Sequence, residues 1–418
     1  MRSGWDRTGS ALLAVCVAGS VLAGCGSTKQ GEAKPAEIDV RTLDVGSYGT
    51  HPLPVPENNR ETYGRIIEAV HTADAVASPY KIDPALRWWS GAEPRPDAKS
   101  ATGTLADVTL PVLEKEGFIV GYAVGGRSEK FPDEGKPKVG DARAITINLL
   151  RFPDEASAKR AAEGIDAADF GISPENVRVD IPKYSDAHSH WRPNVPTLGS
   201  TISHGVWVIS VYAEHTSPDK SALIDLVTKT FDAQIPLLDS FKPTPADKIS
   251  SLPLDATGLL RRTLPYKPEL WPYPAVEFED PGSAIIESGN VSREVGIVYT
   301  GIGGLHSSTD KEKATKLFDA VGLEYWAAVD VGTFLYKVRD EAAAKQLVDN
   351  NFGDDPDNKS DIDGPTGVPS AKCFEYQNTA VFRCSVIYRN YVGTVISDDE
   401  ADVRHKAAAQ YALLANSQ

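Results

Sequence analysis

The chain has 418 residues, of which 58 are acidic and 43 basic, for a formal net charge of −15. That length exceeds what one compact core usually serves, so two domains or a duplicated unit are expected. A chain this acidic repels nucleic acid and anionic lipid, which excludes nucleic-acid partners and a polybasic route to a membrane.

The N-terminus supplies another route. Arg2 and Arg7 precede the apolar run ALLAVCVAGSVLA at 11–23, too short for a stable bilayer span of about 20 residues and typical of a signal peptide. Leu22, Ala23, Gly24 and Cys25 then form a bacterial lipobox. Cleavage between Gly24 and Cys25 is predicted, with a diacylglyceryl thioether on the Cys25 thiol and an acyl group such as palmitate on the freed amine. Two or more chains anchor stably where one does not. Residues 1–24 are therefore read as a lipoprotein signal peptide. Its loss removes Arg2, Arg7 and Asp6, a net +1, and leaves −15 − 1 = −16 on the mature chain. The expected address is the extracytoplasmic face of the cell membrane, with the membrane as a partner through the Cys25 lipid.

Residues 25–45 begin with GSTKQGEAKPAE, too polar to fold, and are read as a flexible tether. A repeat follows. LLRFPDEASAK at 149–159 matches LYKVRDEAAAK at 335–345, and LEKEGFIVGYAVGG from Leu113 matches FDAVGLEYWAAVDVG from Phe318. Each copy reads as roughly β-β-α-β-β-α. The fold class expected is α+β: two related units of antiparallel sheet with helices packed on one face, like a split βαβ arrangement. The first copy carries an extra hairpin tip, KFPDEGKPKVGD at 130–141. Ser217 is read as the cap of its last helix, with Pro218 at the first helical position; the second copy ends in a helix over about 399–416.

The domains are drawn at 46–242 and 297–418, joined by a Pro-rich connector at 243–296 with a short helix near 256–264. Its segment YKPELWPYP places Tyr266, Trp271 and Tyr273 on a strap expected to pin the connector to the core. Cys373 and Cys384 flank a hairpin around Asn378 and Thr379 that sets them opposite each other. A disulfide is predicted, since the compartment is oxidising. It would staple the hairpin without redox chemistry.

The stretch THPLPVPENNRETYGRIIEAVHTADAVASPYKIDPALRWW, the duplicated units and the CF…FRC hairpin together resemble a family of uncharacterised lipoproteins of mycolic-acid-producing actinobacteria. That resemblance covers nearly all of the mature chain. It implies a domain of unknown function followed by a C-terminal companion domain, and supplies no catalytic residues.

Several constellations invite chemistry. His188 and His190, beside Asp186, have a spacing that suits zinc, with His204 or His215 as a distant ligand; the segment reads instead as a loop with two solvated histidines. GDDPDNKSDIDG at 353–364 lacks the glycine and glutamate of a calcium loop and reads as a solvated loop. Ser217–Lys220 and Ser308–Lys311 match a Ser-x-x-Lys pattern, but without a Lys-Thr-Gly partner they are better helix starts, Thr309 and Glu312 forming a capping box. Gly301, Ile302, Gly303 and Gly304 follow a strand as a phosphate loop would, yet His306 stands in the third glycine's place and a plain turn is expected.

No metal, no cofactor and no identifiable catalytic residue are therefore expected. The reading is a non-catalytic envelope lipoprotein that binds a lipid, a glycan or a protein partner. One alternative is an envelope hydrolase with its site between the two units; another is a structural or assembly factor, with Trp88 and Trp89 in an exposed patch.

Overall fold

The computed structural model describes residues 38–132, 137–278, 292–330, 332–350, 359–377 and 381–417. The lipobox, Cys25 and the hairpin tip at Asn378 and Thr379 lie outside the described residues. Each repeat builds a seven-stranded antiparallel sheet. In the first half these are helix α1 (Glu61–Thr72), α2 (Pro79–Ile82), β1 (Trp88–Arg95), α3 (Ala98–Ala101), α4 (Leu110–Lys115), β2 (Gly121–Arg127) and β3 (Ala144–Arg151). There follow α5 (Glu155–Phe170), β4 (Val177–Arg178), β5 (His188–Trp191), β6 (Thr197–His204), β7 (Trp207–Glu214) and α6 (Lys220–Ser240).

A hairpin of β8 (Ala275–Phe278) and β9 (Ser292–Val295) leads into the second half. That half contains β10 (Ile297–Thr300), α7 (Gly301–Leu305), α8 (Lys311–Val321), β11 (Tyr325–Asp330), β12 (Thr333–Lys337) and α9 (Glu341–Asp349). It closes with β13 (Lys359–Ile362), β14 (Lys372–Tyr376), β15 (Val381–Tyr388), β16 (Tyr391–Ser397) and α10 (Glu400–Ala415).

The two sheets run β1-β2-β3-β7-β6-β5-β4 and β10-β11-β12-β16-β15-β14-β13, the same topology twice. The α+β class and the two related antiparallel units are as the sequence indicates. Local chemistry repeats with them. Asp154 caps α5 by accepting from Ser157 N (2.7 Å), and Asp340 caps α9 by accepting from Ala343 N (2.8 Å). Gly117 and Gly322 turn the chain into the second strand of each sheet at φ +76° and +58°, a region that favours glycine. A fully buried glutamine on each closing helix clamps the segment ahead of the first strand. Gln234 holds Ala77 N (2.9 Å) and Ala75 O (2.6 Å); Gln410 holds Leu264 N (2.8 Å) and Arg262 O (2.9 Å).

Three local expectations are corrected. Each repeat has more strands than the pattern β-β-α-β-β-α allows: β1, β4, β5 and β13 carry few periodic apolar residues, and β10 and β14 join the second sheet as additional strands. Helices also cover both faces of the first sheet. Leu150 and Val208 pack with α5, whereas Leu149 and Ile209 pack with α6. Adjacent residues of one strand point to opposite faces, so both faces are buried. The helix starts shift too: α6 is capped by Asp219 in place of Ser217, and α8 by Asp310 in place of Thr309, since each aspartate carboxylate accepts from the first turn.

The expected tether ends earlier than residue 45. Asp39 caps a 3-10 turn at Val40–Thr42, Leu43 is buried, and Tyr48 donates to Asp402 of α10 (2.7 Å). In the connector, a 3-10 turn at Leu260–Arg262 replaces the short helix. Trp271 is buried and Tyr273 stacks on Tyr63 at 5.1 Å, while Tyr266 remains exposed.

From Asp39 to Gln418 the chain packs as one unit. Trp89 N donates to Thr309 O (2.9 Å) and Lys311 N to Arg87 O (2.8 Å), tying the first sheet to α8. Beneath this seam Tyr122, Tyr299 and Trp326 pack ring against ring.

Candidate functional site

The α5 face of the first sheet holds a cavity of about 190 Å³, and ten of its fifteen lining residues carry polar side chains. The helix contributes Ile165, Asp166 and Asp169, spaced so that they share one face. The loop ahead of α4 brings Thr104 and Thr109; the sheet brings Asn148, His190, Thr201, Ser210 and Tyr212. Gly199 leaves the floor open: a Cβ there would stand 3.4 Å from His190 Cε1 and 3.7 Å from Asp169 Oδ2.

At its centre Asp166 Oδ1 meets His190 Nδ1 at 2.8 Å, and Arg178 binds the other carboxylate oxygen. Asp166 and His190 are both buried. Burial pushes the Asp166 carboxyl up, but the hydrogen bonds from His190 and Arg178 outweigh it and hold the pKa below the ordinary value. Asp169 lies 3.5 Å from His190 Nε2, and burial raises its pKa. Each ring nitrogen of His190 thus faces a carboxylate. An Asp–His pair is the orienter and base of a serine triad, but here the nitrogen that would take a serine's proton is turned to Asp169. The arrangement suits hydrogen bonding to a ligand more than nucleophilic catalysis.

The second repeat carries other residues at the matched sheet positions. Counting from the matched hairpins, Phe374 stands for His190, Arg383 for Gly199 and Ile396 for Tyr212. Phe334 stands for Asn148, one residue ahead of the matched Leu149 and Leu335.

The histidine motif was misread by sequence. His188–Trp191 is a strand, and His190 is buried against α5 where a solvated loop was expected. His204 pairs instead with Asp239 (2.7 Å), and His215 contacts Ser217, so neither joins it. Among the described residues no group of three His, Cys, Asp or Glu is arranged to hold a metal ion. The described end of the acidic stretch, Lys359–Ile362, is the edge strand β13 and not a loop.

Other motifs are absorbed by packing. Thr300 and Gly303 N both bind Asp74 Oδ1, the latter at 3.1 Å, so the glycine turn receives a carboxylate from its own chain. Lys311 is fully buried with Nζ on His306 O (2.7 Å), while Ser217 lies in an exposed turn; neither serine–lysine tetrad opens onto the cavity. Trp89 is buried, and Trp88 lies between Arg87 and Lys130, each 4.8 Å from its ring. Cys373 and Cys384 face each other in register and are disulfide-bonded.

Residues 55–254 match a domain of unknown function, DUF7373 N-terminal, and residues 259–417 match its C-terminal companion. No curated protein matches the sequence. Among solved structures, the extracellular domain of PknH from Mycobacterium tuberculosis is similar over 39% of this chain and 94% of that one. The identity is 8% and the TM-score 0.28.

Proposed function

The chain carries the paired N-terminal and C-terminal DUF7373 domains, and we propose that it is an envelope lipoprotein, anchored through Cys25, whose first domain captures a small polar ligand without transforming it. The observation that carries this reading is the polar cavity under α5, whose sheet positions are held in the other repeat by Phe334, Phe374, Arg383 and Ile396. Because the second repeat keeps the same topology without Asn148, His190 and Tyr212 at these positions, the fold does not require them, and the hollow has a place for a ligand.

Anchoring rests on the lipobox alone. Among the described residues no helix is long and apolar enough to cross a membrane. The acidic balance gives the surface no electrostatic hold on anionic lipid.

Native mass spectrometry of the chain purified without denaturation from an actinobacterial host tests both parts. The expected result is an N-terminal diacylglyceryl-cysteine at position 25 and a copurifying small polar molecule. A free thiol at Cys25 sinks the anchor; protein that is always empty, with no ligand taken up from envelope extracts, sinks the capture.

A further inference from the structure

We propose that the ligand is a single sugar ring, the terminal or side-branch unit of a glycan, seated between α5 and the first sheet with one face against Tyr212. This rests on the capture reading above and narrows it to a ligand class.

Charge removes the anions. No lysine or arginine lines the cavity, and the Arg178 cation is already bound to Asp166. A phosphate or carboxylate would enter without a counter-charge and against Asp169. Cations fare little better. Asp166 is taken by Arg178 and His190, and Asp169 would have to receive an amine although it already faces His190 Nε2 at 3.5 Å.

Polarity removes acyl chains. A hydrocarbon would meet hydroxyls already paired within the protein, Thr104 with Asn148 Oδ1, Thr109 with Ala106 O and Thr201 with Ser210 Oγ, and would leave the Asn148 amide N–H and the Ser210 O–H without a partner, at about 1–3 kcal/mol each.

What remains is a neutral partner that both donates and accepts. The threonine hydroxyls, whose hydrogens are spent on Asn148, Ala106 and Ser210, still accept; the Asn148 amide N–H and the Ser210 O–H can donate; and carboxylates accept, which matches the mixed roles of sugar hydroxyls. The mouth is marked by Tyr212, 39% exposed, and by Asp169, whose side chain is 43% exposed. A tyrosine there offers an aromatic face to the C–H face of a ring beside an acceptor for its hydroxyls. Size fits one ring: a cavity of about 150 Å³ takes a single benzene, and this one is about 190 Å³.

The test is saturation-transfer NMR and calorimetry on the full chain with methyl pentosides and methyl hexosides, and with inorganic phosphate, methylammonium and octanoate as contrasting probes. Gly199→Arg, which introduces the residue of the second repeat, should fill the cavity; Asn148→Leu removes a polar wall group at similar size and serves if the first variant fails to fold. The expected result is millimolar or tighter binding of at least one methyl glycoside, weakened roughly tenfold or more in a folded variant. Sugar binding that both folded variants leave unchanged overturns this site. Variant-sensitive binding of phosphate, methylammonium or octanoate in place of sugars overturns the ligand class and leaves capture standing. No binding by any probe overturns the class for these units, and capture itself then stands or falls on the copurified molecule.

Discussion

Ser189 and Ser200 face each other across β5 and β6 with their hydroxyls 2.7 Å apart, at the register position that the Cys373–Cys384 disulfide holds in the second sheet. Ser200 and Cys384 each stand four residues before the pair that closes the following hairpin, His204–Trp207 and Tyr388–Tyr391. Both pairs span a sequence separation of 11. One repeat joins its outer strands by a covalent bond, the other by a buried hydrogen bond. The double variant Ser189→Cys/Ser200→Cys should therefore oxidise spontaneously. Closing so short a loop is worth about 2–3 kcal/mol against the unfolded chain. Thiol titration should find no free cysteine at these two positions, and the melting temperature should rise under oxidising conditions only. Free thiols in folded, oxidised protein would show that the first sheet does not share the geometry of the second.

Acid should loosen the seam between the repeats. His306 is buried with Nε2 3.0 Å from Ala73 O, and burial, with Lys311 nearby, lowers its pKa from 6.5 to about 3. A base whose folded pKa is depressed contributes stability that is present above the unfolded value and lost as pH falls towards the folded one. The window is pH 6.5 down to about 3, and the full loss is about 5 kcal/mol. Lys311, lowered by burial from 10.5 to about 7, acts in the same direction over its own window, so stability climbs again above about pH 7. Denaturant melts of the wild type and His306→Gln between pH 6.5 and about 4 isolate the first effect. The variant should lose less stability on acidification; parallel curves would remove His306 from the acid response.

The repeat was legible because its signals are local. Asp154 and Asp340 cap helices at matched positions, Gly117 and Gly322 supply the turns, and the spacing of Cys373 and Cys384 fixes a hairpin register. The outer strands of the first sheet were not legible. His188–Trp191 alternates polar with polar, and its stability comes from Ser200 across the strand and Asp166 on α5. Helices on both faces did leave a trace, the unbroken apolar run Val206–Ile209 entering β7, which is the pattern of a doubly buried strand. The cavity had no linear signature. Its residues run from Thr104 to Tyr212 and meet only because four strands and a helix bring them together.

The glutamine clamps should be among the costliest polar positions to lose. Gln234→Leu leaves Ala77 N and Ala75 O buried without their side-chain partner. Each orphaned group costs about 1–3 kcal/mol, so a loss of roughly 2–5 kcal/mol is expected. Gln410→Leu should cost a similar amount through Leu264 N and Arg262 O. Urea denaturation of each variant measures this, and Gln234→Glu, which keeps the acceptor but not the donor, should fall between. A change below about 1 kcal/mol would mean that these segments find other backbone partners.

Asp74 decides what the glycine turn after β10 is for. Its Oδ1 accepts from Thr300 Oγ1 and from Gly303 N, so the turn's donors are already occupied by a carboxylate of the first repeat. Burial raises the pKa of Asp74 against the lowering effect of the Thr300 and Gly303 hydrogen bonds. Asp74→Asn keeps an acceptor of the same shape and should cost less than about 1 kcal/mol. Asp74→Ala removes it and should cost about 1–3 kcal/mol, since Thr300 Oγ1 loses its acceptor and Gly303 N keeps only its 3.2 Å bond to Thr300 Oγ1. Inorganic phosphate should not restore the melting temperature of Asp74→Ala, because Gly304 packs against Trp326 so closely that a Cβ there would sit 2.0 Å from Nε1. The glycines serve that contact. Rescue by phosphate would instead mean that the turn is an anion receptor which Asp74 normally occupies.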